Sequence, residues 1–285
     1  MNFGSLRLDL LHGGDLRLDG SALFGVIPKV LWERRFPADD RNRIRVAAHC
    51  LLVRGADFTA LVEAGVGDKW DEETRERRSI AAGPSLAEQL ARIGVRPDQV
   101  DALVLSRLQS DHAGGATVRG EGCAVRLFPR ATLYVQSSEL DRARAPGERE
   151  RASYEPENWE PYAEAGRLET VDGEREIRPG VRVTPLAGQA AGMQGVRIDS
   201  EGRTAFFFAD AVPTSAHVPI PWLMEEPLYP IELIQNKKRW IDQAAREGWL
   251  CLFEHDPDVP WGRIVDGIDG QRRVYPLPAA QREFP

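Results

Sequence analysis

Apolar and polar positions alternate in short runs along most of this chain, and glycine and acidic turns punctuate the runs. That pattern predicts many strands. Residues 5–19 (SLRLDLLHGGDLRLD) alternate around Gly13-Gly14 and read as a hairpin, with His12 an ordinary residue beside the turn. Arg45–Arg54 and Phe58–Glu63 follow as strands, joined at Gly55-Ala56-Asp57. The unbroken apolar run Val100–Leu105 has the character of a strand buried on both faces. A second series, at Arg167–Val171, Val181–Pro185, Gly195–Asp199, Thr204–Asp210 and Trp249–Phe253, predicts another set of strands.

Helical spacing appears in fewer places. Pro84–Gly94 sets Leu86, Leu90 and Ile93 on one face, with Ser85 as N-cap and Gly94 as stop. Ala131–Gln136 reads as a strand leading into a helix capped by Ser137 or Ser138. Leu233–Gly248 aligns Leu233, Trp240, Ile241 and Ala244. Two stretches keep no period. Residues 20–36 read either as a loop over a cleft or as a piece of core, and residues 144–163 read as an insertion over the active face, too irregular for a core element.

Composition narrows the class. With 285 residues, 42% of them hydrophobic and 28% charged, the chain is long enough for one large α/β domain, and a single domain over 1–285 is expected. A net charge of −7 argues against a nucleic-acid or anionic-membrane partner, although the run from Arg142 to Arg151 is locally basic and reads as a solvated face. The absence of a spanning apolar run and of a signal-like start predicts a soluble, cytoplasmic protein. Cys50, Cys123 and Cys251 lie far apart and form no disulfide framework.

The chemistry gathers after the 100–105 run, in Ser106-Arg107-Leu108-Gln109-Ser110-Asp111-His112-Ala113-Gly114-Gly115. A carboxylate and an imidazole side by side at a strand end have the character of metal ligands. The segment resembles the H-x-H-x-D-H-x-G-G signature of the metallo-β-lactamase-fold hydrolases, with Arg107 and Gln109 in place of its first two histidines. Further motifs occur in the same order: Glu63-Ala64-Gly65-Val66-Gly67, similar to the family's acid and G-x-G; Thr184-Pro185-Leu186-Ala187-Gly188-Gln189, with Gln189 where a histidine stands; Phe206-Phe207-Phe208-Ala209-Asp210; and Glu254-His255-Asp256-Pro257. The resemblance, from about Leu51 to about Pro257, implies an αββα four-layer sandwich.

Carried over by position, the resemblance implies a selective loss. The three histidines of the first metal are gone (Arg107, Gln109, Gln189), while the second metal's set is complete in Asp111, His112, Asp210 and His255. A guanidinium has no lone pair to donate, so Arg107 cannot be a ligand. Two imidazoles and two carboxylates suit one divalent ion, zinc first, with iron or manganese also acceptable. Three readings follow. One is a mononuclear hydrolase of an ester, lactone, amide or phosphoester, in which Arg107 steadies the oxyanion and His217 serves as a proton donor. The second is an inactive relative in which Arg107 pairs with Asp111 and Asp210 and the cleft binds a small molecule or partner. The third is a redox or lyase step at a two-histidine iron site. His49 is expected to be structural, and Trp70, Trp222 and Tyr229 either wall an apolar pocket or pack.

Overall fold

In the computed structural model, which describes residues 1–225, 227–268 and 270–277, the strands form two seven-stranded sheets and a small two-stranded one of Thr117–Arg119 and Ala124–Arg126. The first runs in chain order through Asn2–Phe3, Leu6–Asp19, Arg43–Arg54, Thr59–Val62, Ala102–Val104, Thr132–Gln136 and Leu168–Val171. The second runs through Arg175–Arg178, Val181–Pro185, Gln194–Ser200, Arg203–Phe207, Leu250–Leu252, Trp261–Asp266 and Arg272–Pro276. Parallel pairing is confined to the strands from Thr59 to Val171 in the first sheet and to the Arg203–Phe207 and Leu250–Leu252 pair in the second.

The two-residue strand period decides which core each side chain joins. In Arg43–Arg54, Leu51 and Val53 point between the sheets, where they meet Val183, Val196, Phe207 and Leu252, while Cys50 and Leu52 point to the outer face. That outer face is covered by the helices Leu86–Arg92 and Ser137–Arg144 through Leu86, Leu90 and Leu140. On the far side, Pro230–Glu247 lays Leu233, Trp240, Ile241 and Ala244 on the second sheet against Phe206 and Cys251. The layers are therefore helix, sheet, sheet, helix, the expected αββα sandwich.

Several local readings need correction. Residues 5–19 are not a hairpin but most of one long strand, Leu6–Asp19, paired along its length with Arg43–Arg54. The two glycines form a bulge between His12 and Asp15 in place of a turn. A Cβ on Gly13 would sit 2.6 Å from the Ala48 carbonyl oxygen, so this glycine serves close backbone approach. The 144–163 stretch is irregular as read and lies against the motif loop, where Gln109 pairs with Tyr154 and the Ser110 hydroxyl donates to the Ser153 carbonyl, but it also buries Tyr154, Trp159 and Tyr162 in the outer cluster of the first sheet. Residues 20–36 follow the core alternative in part: Leu23, Phe24, Trp32 and Phe36 pack around Ile44 and Val46, while Val26, Val30 and Leu31 are exposed. Ser85 caps its helix in a full capping box with Glu88, whereas the helix Ser137–Arg144 starts from Gln136 with no side-chain cap.

Gly114 and Gly115 fix the ligand loop to the first sheet's end. A Cβ on Gly114 would lie 2.0 Å from the Val66 carbonyl oxygen, and one on Gly115 would lie 2.2 Å from that of Ala64. Both contacts are to backbone and cannot be relieved by a rotamer change. Gly114→Ala is therefore expected to cost about 3 kcal/mol or more of stability, through forced displacement of the loop. Urea unfolding measures it, and a midpoint equal to that of the parent would refute the close packing.

Candidate metal centre

The ligand set is assembled from strand ends on both sheets. Ala102–Val104 leads through Ser106 and Arg107 into the one-turn helix Ser110–Ala113, which carries Asp111 and His112. Asp210 stands in the 3-10 turn Ala209–Ala211 just past Arg203–Phe207, and His255 lies just past Leu250–Leu252. The structure brings all four together. His112 Nε2 lies 3.3 Å from Asp210 Oδ2 and 3.7 Å from Asp111 Oδ1. His255 Nε2 lies 3.2 Å from Asp210 Oδ1 and 3.8 Å from Asp111 Oδ2. Asp111, at 27% exposure, is open to solvent; His112, Asp210 and His255 are buried.

The ring orientations are set from behind. His255 Nδ1 donates to the Ala47 carbonyl at 2.8 Å, which leaves Nε2 facing the two aspartates. His112 Nδ1 faces Glu254 Oε1 at 3.1 Å and shares a hydrogen bond with the Ser106 hydroxyl at 3.2 Å. Its Nε2 is thereby turned to the same point. Glu63 Oε1 accepts from the Ser106 backbone N–H at 2.8 Å, and Oε2 lies 3.7 Å from His112 Nδ1. This is the carboxylate-behind-histidine arrangement that orients metal-binding imidazoles. His112 Nε2 and Asp210 Oδ1 are buried and find no hydrogen-bond partner among the described residues.

Electrostatics point the same way. Burial alone would lower the pKa of both rings. For His255, Glu254 and Asp210 outweigh it and hold the ring up at about 9; for His112, Glu254, Asp111 and Asp210 hold it well above the usual value. Burial would raise Asp210, but His112, His255 and Arg107 keep it well below the carboxylate range. Glu254 is pushed up to about 7, first by burial. Four carboxylates (Glu63, Asp111, Asp210, Glu254) lie within 4 Å of the ring nitrogens of His112. His255 and Arg107 share the charge of these carboxylates with His112. The donor set and its orphaned atoms fit a divalent cation.

Arg107 is buried beside this point, with Nη1 donating to Asp210 Oδ2 at 2.5 Å. Its Nε has no hydrogen-bond partner among the described residues, and the same holds for Oε1 of the buried Gln189. Gln109 is half-buried. Ala209, just before Asp210, holds φ at 47°, a left-handed conformation costly for a residue with a Cβ. The strain is local to the turn that aims Asp210.

His217 is the expectation the structure overturns. It is fully buried, with Nε2 donating to the Leu23 carbonyl at 2.8 Å and Nδ1 accepting from the Thr214 hydroxyl at 2.7 Å, and the ring stacks on Phe24 at 4.8 Å. Both nitrogens are committed, so the ring ties residues 20–24 to the turn that follows Asp210 and has no proton to give. Trp222 packs edge-on against Phe24, and the Trp70 indole donates to the Val66 carbonyl; both act as packing groups. His49 is structural as expected, with Nε2 donating to the Asp256 carbonyl.

Two participants went unread. Glu254 carried a signal, an acid at the end of an apolar strand beside a histidine. Glu139 carried none, because an acid in the first turn of a helix is ordinary. It is fully buried, and its Oε1 accepts from the Leu108 backbone N–H at 2.9 Å and from the Tyr154 hydroxyl at 3.0 Å.

Residues 43–259 match the sequence pattern of the metallo-beta-lactamase superfamily. The chain is 25% identical over 279 residues to the N-acyl homoserine lactonase AiiB of Agrobacterium fabrum, covering 93% of this chain and 98% of that protein. It is 26% identical over 249 residues to the probable metallo-hydrolase Rv2300c of Mycobacterium tuberculosis, 76% of each chain. Among solved structures, a probable metal-dependent hydrolase from Staphylococcus aureus superposes with a TM-score of 0.89 at 27% identity, covering 98% of this chain and 99% of the other. The dizinc quorum-quenching lactonase AidC shares the fold, with a TM-score of 0.79 at 19% identity over 98% and 96% of the two chains.

The environment of His217 gives a pH prediction. Burial first, then the Lys237 charge, depresses the ring from 6.5 to about 3. Between those values the unfolded chain binds a proton that the folded chain refuses, so stability is whole above pH 6.5 and falls as the pH drops below it. At pH 5 this ring is expected to account for about 2 kcal/mol of lost stability. His217→Gln should shrink the difference between urea midpoints at pH 7 and pH 5 by that amount. An undiminished difference would show that the ring is not held neutral.

Proposed function

The chain belongs to the metallo-beta-lactamase superfamily, and from that premise we propose a hydrolase that works with one divalent ion, zinc first, held by Asp111, His112 and His255, whose ligand atoms form one compact group, together with Asp210, which lies against both rings. The substrate class is a small lactone or ester, in keeping with the lactonase names of the relatives. The observation that carries the reading is the convergence of Asp111, His112 and His255 into one compact group of ligand atoms, with Asp210 against both rings. When bound, the ion would supply a Lewis acid and a water of lowered pKa.

The chain's own residues supply the rest. Asp111 is the ligand with an open side, so the substrate approaches over it, while burial of the other three excludes bulk water. Arg107 spends one N–H on Asp210 and keeps Nε–H unpaired in a dry setting. A donor so placed is suited to negative charge developing on a carbonyl oxygen. Glu254 and the Ala47 carbonyl keep the two imidazoles aimed, and Asp210 keeps the guanidinium from swinging into the ligand set.

A second reading rests on the same Arg107–Asp210 contact: the guanidinium neutralises Asp210, the site holds no metal and catalysis is lost. Elemental analysis of the purified protein separates the two. The proposal expects one equivalent of metal, lost in Asp210→Ala together with at least about 100-fold of the rate of hydrolysis of a short-chain N-acyl homoserine lactone. No bound metal, and a melting temperature indifferent to both zinc and EDTA, would establish the second reading. Converting Arg107, Gln109 and Gln189 together to histidine is expected to raise the stoichiometry to two equivalents by rebuilding the first site.

A further inference from the structure

The one-turn helix Ser110–Ala113, which carries Asp111 and His112, is held differently at its two ends. Its rear is fixed by backbone: the Ala64 N–H donates to the His112 carbonyl at 2.9 Å, and the Gly115 N–H donates to the Gly65 carbonyl at 3.1 Å. The buried Lys69 ammonium donates to the Gly114 carbonyl as well. The front rests on the 144–163 stretch, through a short backbone bridge between Gln109 and Tyr154 and through the Ser110 hydroxyl, which lies 2.9 Å from Glu155 Oε2 and 3.1 Å from the Ser153 carbonyl. Glu155 is itself gripped. Arg78 Nη1 donates to the same Oε2 at 3.2 Å while Nη2 donates to Oε1, with the two side chains at 23% and 25% exposure. An exposed ion pair is worth little by itself, but a two-point fork fixes the carboxylate in one orientation. Arg78 follows the short helix Glu72–Arg77 and lies 4.9 Å from the Trp70 ring, whose indole donates to the Val66 carbonyl. That carbonyl is the one Gly114 packs against, so the chain of contacts closes on the ligand loop from both ends.

We propose that Glu155 is a positioning residue for Asp111: clamped by Arg78, it holds the Ser110 hydroxyl, and through it the front of the one-turn helix from which the most open of the four ligands projects. Asp111 depends on such support more than its neighbour does. It follows Ser110 directly and is 27% exposed, whereas His112 is buried and tied to Ala64 through its own carbonyl. The consequence for metal binding rests on Asp111 being a ligand; the clamp on the loop does not. Outer partners that orient a ligand are typically worth about tenfold to 100-fold in metal affinity.

The test reads two quantities: zinc affinity, by competition with a chromophoric chelator, and amide hydrogen exchange in the protein kept in EDTA. Glu155→Ala is expected to weaken zinc binding about tenfold, and Arg78→Met to act in the same direction. Ser110→Ala should weaken it alike in the parent and add nothing in Glu155→Ala, since the two share one contact. Ser110→Thr keeps the hydroxyl and should stay near the parent. In EDTA, Glu155→Ala should speed exchange of the His112 and Ala113 amides, both bonded to the Gln109 carbonyl, about tenfold, and leave the strand Leu250–Leu252 as it was. A residue that merely supported the fold would lower protection in both places together. Zinc affinity that Glu155→Ala leaves unchanged, or exchange that it leaves unchanged or raises equally in the second sheet, overturns the proposal. If the parent binds no zinc, the metal reading fails and the exchange measurement alone decides this one, so the two failures are told apart.

Discussion

The site is organised around the Asp210 carboxylate, which answers to three positive or proton-bearing groups at once. Arg107 takes one oxygen, His112 approaches the same oxygen and His255 the other. Arg107 and His112 come from the ligand loop and His255 from the end of Leu250–Leu252, so the contact also ties the first sheet's ligand loop to two strand ends of the second. Its geometry is not free, because Ala209 is held left-handed to aim it. Remove the carboxylate and a buried guanidinium loses the neighbour that makes its burial tolerable.

The fold makes that convergence possible through close backbone approach. Parallel strands end together at one rim, and the crevice beyond such ends is where α/β sheets place their chemistry. The ligand loop is pressed onto that rim by glycines whose missing Cβ atoms let the backbones of Ala64, Val66, Gly114 and Gly115 nearly touch. Side chains then fill what remains: Glu63 reaches the Ser106 N–H, and Glu139 reaches the Leu108 N–H, on either side of Arg107. The loop carrying Arg107 is thus anchored by buried carboxylates at the residues before and after it.

Much of this was legible in the chain because strand ends and ligand types repeat a pattern of spacing. Asp111, His112, Asp210 and His255 were readable as a set; the structure groups the ligand atoms of Asp111, His112 and His255 and sets the two oxygens of Asp210 against one ring each. What escaped depends on contacts between residues distant in sequence. Gly13-Gly14 looked like a turn because its other explanation, the approach of Ala48, lies on another strand. Residues 144–163 looked like a surface insertion because Tyr154, Trp159 and Tyr162 are buried without any period. His217 looked available because nothing nearby in sequence reveals that the Leu23 carbonyl, almost two hundred residues earlier, accepts from its ring.

On the proposed single-metal reading, the choice of arginine at position 107 can be argued from the rest of the molecule. A substitute for a metal must stay positive when buried. Burial pulls the ammonium of Lys237 down to about 7, where three backbone carbonyls surround it, and that of Lys69 down to about 8. A lysine at position 107 would face the same desolvation and share its proton with the medium. Arg107 stays charged: burial opposes its charge, but Asp210 and then Glu139 raise its pKa above even the high value a guanidinium starts from. Its donors are spread over a plane, so one N–H can serve Asp210 while another remains unspent. A fixed charge with a spare donor is what the proposed single-metal site asks of position 107, and among the natural side chains the guanidinium alone offers both when buried.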